Sequence, residues 1–378
     1  MPPLDWQGDD SDLLSKYCMS RAKDPEDFSK IEEAYWTAID RMIWEEDRES
    51  GNYNDFWDVR NYVKNAFEFK AATFIIHGIN DWNVKTDHAF DMFRALQDAG
   101  KDRRMMLHQG EHICIYDLRD SGCLEAVERW LDHYLKGIDN GVDHEPRILV
   151  ESNLDQSLWY AGDTWPPEGT EIMKFPVRAA SGNIVTLTDD LAHTAYCRET
   201  DDRKAWRDAL ILGETEIPYC LKFFAGPYDC DLRIAGPITV RFKASLDRPA
   251  AALSAMLVDL GEMKRLTSEQ VLTGEDPDDP EKFVFGTEAE PSAYKIISRG
   301  WINSQNRENV WSKSEIVPGE YYDFEINMVE TDHTLPAGHE LELVLYGMDA
   351  DFTLRPYSAT HISYDIGSIE CEVPVVKA

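Results

Sequence analysis

The chain has 378 residues, 43% of them hydrophobic and 11% aromatic, which is enough for two or three folded domains and excludes a disordered chain. Its 71 acidic residues outnumber 38 basic ones, and the formal net charge of −33 argues against nucleic acid or an anionic membrane as a partner. No apolar run approaches the roughly 20 residues of a membrane helix, no secretory signal is visible, and seven scattered cysteines without a Cys-x-x-Cys pair predict a cytoplasmic location.

Residues 1–65 are predicted to form a helical segment. Asp24 followed by Pro25 predicts a helix start, because aspartate caps free N–H groups and proline suits the first helical position. Apolar residues then recur at mostly three- and four-residue intervals, which is typical of one apolar helix stripe, and Gly51 predicts the helix end. The apolar positions are Phe28, Ile31, Tyr35, Ile39, Met42 and Ile43.

Residues 66–145 predict a βαβ unit, in which two parallel strands flank a helix. The β-branched and aromatic run Thr73–Ile76 predicts a buried strand, and Met105–Leu107 predicts a second one. The helix between them is predicted to end at Gly100, and a further helix is predicted to end at Gly137. The two helices carry apolar residues at Phe90, Met92, Phe93 and Leu96, and at Leu124, Val127, Trp130, Leu131, Tyr134 and Leu135.

Two polar residues, Asp81 and His112, each follow one of the predicted strands. Ligands of parallel sheets collect beyond the carboxyl ends of the strands, so both side chains should project into one crevice. Aspartate followed by histidine is their order in the α/β-hydrolase triad, whose nucleophile comes first. The aspartate would orient the imidazole, and the imidazole would be the general base. The alternative is structural, with Asp81 as a helix N-cap and the His112 loop as a turn.

Four other histidines compete for the role of the base. His77 and His108 end predicted strands, where local hydrogen bonds are expected to hold them. His88 and His133 lie within predicted helices.

The string His108-Gln-Gly-Glu-His112 matches a motif of zinc peptidases. That motif works only on a helix, where positions four apart share a face, whereas the preceding strand and Gly110 predict a loop. We therefore predict no metal and no cofactor. Cys114 is expected to be a small buried residue rather than a nucleophile.

A different pattern begins after residues 138–146, which are polar, contain glycine and end in proline, and so predict a linker. Short strands then alternate with turns, and residues 275–281 predict an acidic surface loop. Regular short strands without helices predict a two-sheet, jelly-roll-like β-sandwich over residues 146–378. The clearest strands are Pro237–Ala244, Leu253–Asp259 and Leu341–Tyr346.

Five strings of the chain resemble the bacterial Xaa-Pro dipeptidyl-peptidases, which are proline-specific serine peptidases of the α/β-hydrolase fold. The resemblance covers essentially the whole chain, and the three strings of the first half stand in the same order as in the family. In the first half they are Ser50-Gly-Asn-Tyr-Asn-Asp-Phe-Trp-Asp-Val-Arg-Asn-Tyr62, His77-Gly-Ile-Asn-Asp-Trp-Asn-Val-Lys85 and Leu107-His-Gln-Gly-Glu-His112; in the second half they are Leu232-Arg-Ile-Ala-Gly236 and Ser298-Arg-Gly-Trp301.

This resemblance implies a fold of class α/β plus all-β. A helical cap segment over residues 1–65 would precede the C-terminal part of an α/β-hydrolase domain over residues 66–145 and a jelly-roll-like β-sandwich over residues 146–378. It implies that the protein releases N-terminal dipeptides from peptides whose second residue is proline, with Asp81 and His112 as the acid and base of a serine triad. It further implies peptide substrates as partners and a possible homodimer of the full-length enzyme.

Two tryptophans are the predicted substrate-binding residues. If the helical segment covers the active site, as the resemblance implies, Trp57 and Trp82 would line a pocket for the substrate's proline, because aromatic faces pack well on a pyrrolidine ring. The alternative is that both are ordinary core aromatics.

The sequence departs from the family at the nucleophile. The family's serine stands in a Gly-x-Ser-x-Gly elbow before the helical segment, and no such string occurs in this sequence. We therefore expect the chain to be a C-terminal piece that carries two of the three triad members. Two other functions stay open at this point: a related α/β-hydrolase that acts on esters or amides, and a non-catalytic binding protein on the same scaffold.

Overall fold

A computed structural model of the protein describes residues 29, 32–47, 50–112, 122–155, 157–177, 184–189, 203–213, 219–265, 270–272, 283–285, 291–353 and 359–377. The predicted helix start at Asp24 and Pro25, the apolar positions Phe28 and Ile31, Cys114 and the predicted acidic loop 275–281 lie outside these residues. In the part of the chain that is described, no helix is long and apolar enough to cross a membrane.

The first helix is confirmed, but it ends earlier than predicted. The helices of the described ranges are α1 (Glu32–Glu45), α2 (Asp55–Asp58), α3 (Asp87–Asp98), α4 (Cys123–Lys136) and α5 (Arg203–Leu212), with 3-10 helices at Tyr62–Glu68, Val142–His144 and Ser304–Asn306. Helix α1 stops before Gly51 because the chain turns at Asp47, which adopts a left-handed φ of 50° and whose carboxylate accepts the Ser50 N–H at 3.2 Å.

A four-stranded sheet carries the predicted βαβ unit. Its strands are β1 (Thr73–Gly78), β2 (Arg103–His108), β3 (Ile148–Glu151) and β4 (Trp159–Gly162), in that order. The first three run parallel, and β4 is antiparallel to β3. The predicted linker 138–146 leads from α4 to β3, and β3 pairs with β2. The predicted boundary between the hydrolase part and the sandwich, at residue 145, therefore falls inside this sheet.

Helix α3 packs on this sheet through the apolar face that the sequence predicted. Its fully buried side chains are Phe90, Phe93 and Leu96, and Met92 is half-buried. Gly100 adopts a φ of +64° just past the helix end, as predicted. Among the described strands β1 pairs with β2 alone, so residues 73–77 are half-buried rather than buried as predicted.

The remaining strands form two antiparallel sheets and a short ribbon. They are β5 (Thr170–Lys174), β6 (Ile184–Asp189), β7 (Cys220–Ala225), β8 (Leu232–Gly236), β9 (Thr239–Leu246), β10 (Ala252–Lys264), β11 (Gln270–Leu272), β12 (Phe283–Phe285), β13 (Pro291–Asn303), β14 (Tyr321–Asn327), β15 (Thr331–Leu335), β16 (Glu340–Tyr346) and β17 (Thr360–Val376). One sheet has the order β13-β10-β16-β7. The other has the order β14-β9-β17-β8-β15, with β5 and β6 also paired to β17, and β11 pairs with β12 in the ribbon.

The two sheets enclose one hydrophobic core, as expected of a β-sandwich. Val240 and Phe242 from β9 pack in the same cluster as Leu343 and Leu345 from β16. The three clearest predicted strands are confirmed as β9, β10 and β16. Apolar and polar residues alternate in the predicted segment of β9, whose Val240, Phe242 and Ala244 face the core, whereas β10 and β16 are buried on both faces.

The expectation of a sandwich without helices is wrong at α5. This helix packs on the outer face of the four-stranded sheet, where its Trp206 and Leu210 join Met256, Val258 and Val344 in a second buried cluster. The outer face of that sheet is apolar, so it requires a cover to remove it from water.

Glu330 joins the sandwich to the hydrolase part. Its carboxylate forms an ion pair with Arg94 of α3 and accepts the Trp165 indole N–H at 2.7 Å. Its own N–H donates to the Asp87 carboxylate at 2.7 Å. Because Glu330 is only 6% exposed, these bonds connect α3 to the sandwich in a place from which water is largely excluded.

Candidate active site

Asp81 and His112, which the sequence predicts as a pair, are in hydrogen-bond contact. His112 Nδ1 lies 2.9 Å from Asp81 Oδ2, within the range of about 2.6–3.2 Å expected for a general base and its partner. Asp81 follows β1 and His112 follows β2. The two parallel strands therefore bring both loops to the same edge of the sheet.

The Asp81 carboxylate is buried and is oriented by its own loop. It is 5% exposed, and its Oδ1 accepts the N–H groups of Asn83 and Val84, both at 2.9 Å. These two bonds leave Oδ2 for the imidazole. Thr86, and not Asp81, occupies the N-cap position of α3, so the N-cap alternative for Asp81 is wrong.

The His112 loop approaches β1 so closely that residue 78 must be glycine. A Cβ atom on Gly78 would lie 2.3 Å from the carbonyl oxygen of Glu111 and 2.5 Å from that of Gly110. The Asn80 side chain holds the same loop by donating to the Gln109 carbonyl at 2.6 Å. The histidine loop is therefore held against the end of the strand that carries the aspartate.

Glu151, which the sequence analysis missed, holds the other side of this loop. It ends β3, and its carboxylate accepts the Gln109 N–H at 2.6 Å while its carbonyl accepts the Gln109 side-chain N–H at 2.8 Å. Burial raises the pKa of Glu151, and the bond from the Gln109 N–H opposes that rise. A glutamate at the end of the apolar run 148–150 was visible in the sequence, but its partner was not.

The two competing histidines at the strand ends are occupied elsewhere. His108 is 3% exposed, accepts the Gly110 N–H at 3.1 Å, and burial lowers its pKa to about 4, so it is neutral near pH 7. His77 Nε2 lies 2.9 Å from the Val84 carbonyl, and burial lowers its pKa as well. As predicted, His88 and His133 lie within α3 and α4. By contrast, the His112 side chain is 64% exposed.

The zinc-motif string does not form a helix. Residues 109–112 lie in the loop after β2, as predicted, so His108 and His112 do not share a helix face. Within the described ranges, no group of three or more histidine, cysteine, aspartate or glutamate side chains could hold a metal ion.

The two predicted substrate-binding tryptophans lie in different surroundings. Trp82, next to Asp81, is half-buried, and its ring centroid lies 5.9 Å from that of Phe352. Trp57 in α2 is also half-buried, and its indole N–H donates to the Glu46 carbonyl at 3.2 Å. A groove of about 1150 Å³ lies between α1 and residues 52–60. Its lining includes Trp311, but it includes neither Trp57 nor Trp82.

In this arrangement the buried carboxylate of Asp81 accepts a hydrogen bond from the Nδ1–H group of the exposed His112 imidazole. Such a pair keeps the Nε2 lone pair available as a general base. Among the described residues, Asp81 is the hydrogen-bond partner of His112, and no serine hydroxyl bonds to it. The pair can therefore take and return a proton, while the nucleophile must come from another group.

Comparisons with known proteins extend over both parts of the chain. A family model described as X-Pro dipeptidyl-peptidase (S15 family) matches residues 3–114, and one described as X-Pro dipeptidyl-peptidase C-terminal non-catalytic domain matches residues 140–370. The Xaa-Pro dipeptidyl-peptidase of Lactiplantibacillus plantarum is 30% identical over 397 residues, which is 99% of this chain and 48% of the relative. That of Lacticaseibacillus casei is 31% identical over 384 residues, with 98% and 48% covered. The chain thus spans about half the length of these curated relatives.

Solved structures share the fold at low sequence identity. An aminopeptidase from a marine sediment Thaumarchaeota archaeon superposes with a TM-score of 0.62 at 17% identity, covering 89% of this chain and 60% of that one. An alpha-amino acid ester hydrolase superposes with a TM-score of 0.61 at 15% identity, covering 91% and 62%. These similarities show a hydrolase fold with an attached β-domain and, at such identities, nothing about the substrate.

Proposed function

The chain belongs to the X-Pro dipeptidyl-peptidase family, and we propose that its Asp81 and His112 are two members of the Ser-Asp-His triad of a serine exopeptidase that releases N-terminal Xaa-Pro dipeptides. The observation that supports this most directly is the 2.9 Å contact between His112 Nδ1 and Asp81 Oδ2. The two backbone N–H groups that hold Asp81 Oδ1 add to it, because they orient the carboxylate before substrate arrives.

In this mechanism His112 moves protons and Asp81 orients it. A serine hydroxyl attacks the carbonyl carbon of the proline residue while Nε2 of His112 takes the hydroxyl proton. The imidazolium then gives this proton to the leaving amine, so the peptide bond breaks and an acyl-enzyme forms. Water, deprotonated by the same nitrogen, attacks the ester; the bond to the serine oxygen then breaks, the imidazolium returns the proton to that oxygen, and the dipeptide is released. Asp81 stays ionised and stabilises the imidazolium through the Nδ1–H bond.

Peptides are the substrate class that the comparisons favour over esters. The relatives at 30% and 31% identity, which align with nearly the whole chain, are named Xaa-Pro dipeptidyl-peptidases. The ester hydrolase resembles the chain in fold alone, at 15% identity. A purely binding role on this scaffold would require neither a buried, oriented carboxylate nor an exposed imidazole beside it.

The assignment of Trp57 and Trp82 to the proline pocket stays a prediction. Trp82 follows Asp81 directly and is half-buried, so part of its side chain is open to solvent in the loop that carries the carboxylate. Trp57 belongs to the string that resembles the segment before the aspartate loop in the family. If either ring contacts proline, its replacement by alanine should raise KM for Ala-Pro-p-nitroanilide more than for Ala-Ala-p-nitroanilide.

We also propose that the sandwich is a jelly roll. Its support is the strand order β6-β17-β9-β14 in one sheet facing β7-β16-β10-β13 in the other. Among these eight strands, the chain crosses to the other sheet at each step except from β10 to β13, which pair with each other. A reducing cytoplasmic location, which is consistent with free thiols at Cys123, Cys220, Cys230 and Cys371, and a homodimer stay predictions.

The function is tested by comparing substrates and by labelling the nucleophile. The protein is expressed from its complete reading frame and assayed with Ala-Pro-p-nitroanilide and with a simple acyl ester, and a fluorophosphonate probe followed by mass spectrometry locates the reactive serine. We expect preferential turnover of the Ala-Pro substrate and stoichiometric labelling of one serine. Preferential turnover of the ester, or neither turnover nor labelling, would contradict the proposal.

A further inference from the structure

The loop that carries Asp81 also contacts the β-sandwich. The Trp82 ring centroid lies 5.9 Å from that of Phe352 in the segment after β16, and Lys85 Nζ lies 5.0 Å from the centroid of the same ring. Lys85 Nζ is also 5.5 Å from the centroid of Trp301 in β13. Phe352 therefore contacts the loop at two points, one on each side of Asn83.

Buried charges hold these aromatic rings in place. Arg299 is 3% exposed, and its guanidinium carbon lies 5.3 Å from the centroid of Trp82 and 5.2 Å from that of Phe352. Its Nη1 pairs with the Asp351 carboxylate at 2.8 Å. The Trp301 indole N–H donates at 3.0 Å to the fully buried Asp349 carboxylate. A network of charge-assisted hydrogen bonds thus makes this part of the sandwich a rigid support.

The two residues between the contact points are the ones that orient the candidate catalytic carboxylate. The N–H groups of Asn83 and Val84 both donate to Asp81 Oδ1. If Trp82 and Lys85 are held by the sandwich, the intervening backbone is held as well, and so is the direction of the carboxylate. Without these contacts, the loop between its ends would be held from outside by the contact of the Val84 carbonyl with His77.

We propose that Arg299, Trp301 and Phe352, which we call the sandwich clamp, are positioning residues for the Asp81–His112 pair. The C-terminal β-domain thereby contributes to the active site without touching the substrate. The proposal deepens the proposed function of Asp81 and His112 and rests on it for its catalytic consequence. Its structural consequence, the order of the Asp81 loop, is measurable whether or not the protein is a peptidase.

The first experiment measures backbone amide exchange in the Asp81 loop. Phe352→Leu should raise the exchange rate of the Asn83 and Val84 amides by about five- to tenfold, the size of one lost aromatic contact or hydrogen bond. Phe352→Tyr keeps the ring and should restore the wild-type rate. The matched control is Phe324→Leu, since Phe324 is a 2% exposed core residue of the same sandwich whose ring neighbour is Phe242.

A second variant protects the test against misfolding. Trp82→Leu removes the other half of the contact from the hydrolase side and should raise exchange at the same two amides by a similar factor. The double variant Trp82→Leu/Phe352→Leu should add little to either single change, because the two rings form one contact. Unchanged exchange in Phe352→Leu, or an equal rise in Phe324→Leu, would overturn the proposal.

The second readout separates this proposal from the proposed function. In the protein expressed from its complete reading frame and assayed with Ala-Pro-p-nitroanilide, Phe352→Leu should lower kcat on the order of 10- to 100-fold while KM stays within about twofold, since displacing a catalytic group by an ångström costs about that much. Normal kcat in Phe352→Leu together with an active wild type would overturn the clamp and leave the function standing. An inactive wild type whose loop exchange still responds to Phe352→Leu would overturn the function and support the clamp.

Discussion

In the part of the chain that the structure describes, two regions pair a buried aspartate with histidine, and they differ in what surrounds the imidazole. At the sheet edge Asp81 meets His112 at 2.9 Å, and the histidine side chain is 64% exposed. In the sandwich Asp259 meets His333 at 3.0 Å and His339 at 2.6 Å, and these side chains are 7% and 13% exposed. The contact distances are alike, so the difference lies in burial.

The surroundings decide what each pair can do. Asp259 is fully buried and also forms an ion pair with Arg265 at 2.8 Å, and its hydrogen bonds and nearby positive charges lower its pKa to about 2 against the cost of burial. Burial lowers the pKa of His333, so that imidazole resists protonation. This group is suited to hold β10 and β15 together. A buried aspartate supports catalysis only where its imidazole also has an open side, as at His112.

The largest expected effect breaks the pair at the sheet edge. In the protein expressed from its complete reading frame, Asp81→Asn should lower turnover of Ala-Pro-p-nitroanilide by about 10⁴-fold, because the amide stabilises the wrong tautomer of His112. His112→Ala should cost at least as much. The kinetic loss in His112→Ala should not come with a large loss in the free energy of unfolding, since that side chain is mostly in solvent. Steady-state kinetics and urea unfolding measure the two effects, and near-normal turnover in either variant would refute the assignment.

The sandwich pair should respond in the opposite way. Asp259→Ala leaves Arg265 without its buried counter-charge and the two imidazoles without their hydrogen-bond partner, so we expect a loss of about 3–5 kcal/mol in the free energy of unfolding. The control is Asp247→Ala, which removes an exposed Asp247–His361 pair and should cost at most about 1 kcal/mol. Equal losses in the two variants, measured by urea denaturation, would show that burial does not distinguish these pairs.

A smaller effect should follow from moving the histidine loop rather than removing its imidazole. Gly78→Ala places a methyl group where the Glu111 and Gly110 carbonyls lie, so the loop must shift away from Asp81. We expect turnover to fall on the order of 10²-fold. Gly162→Ala in β4 is the matched control, because a Cβ atom there meets nothing within 4 Å. Turnover within twofold of wild type for Gly78→Ala would exclude a tight approach of the two loops.

The smallest expected effect is the pH dependence of the sandwich pair. The folded-state pKa of Asp259, about 2, lies below its ordinary value of 3.8, so the ionised form stabilises the fold. This contribution, about 2 kcal/mol, is present above pH 4 and is lost as the pH falls towards 2. The difference in unfolding free energy between wild type and Asp259→Asn should shrink over that interval. A difference that stays constant from pH 5 to pH 2 would contradict it.

The sequence alone was sufficient for the elements that lie close together along the chain. The spacing of apolar residues predicted the strand–aspartate–helix–strand–histidine order and the strands β9, β10 and β16. It also predicted the buried face of α3, which carries Phe90, Phe93 and Leu96. This is because helix and strand periods are properties of neighbouring residues. The expected meeting of Asp81 and His112 follows one step further, from the rule that parallel strands end at the same edge of a sheet.

The tertiary structure decided what depends on residues far apart in the chain. Four such contacts leave no periodic pattern in the sequence. They are the close approach of Gly78 to Glu111, the hydrogen bond of Glu151 to the histidine loop, the packing of α5 on the sandwich and the contact of Trp82 with Phe352. Each arises where the folded chain brings two segments together, and the position of one segment is set by the packing of all the others. Local propensity predicts the elements, but only that packing decides which side chains face each other across them.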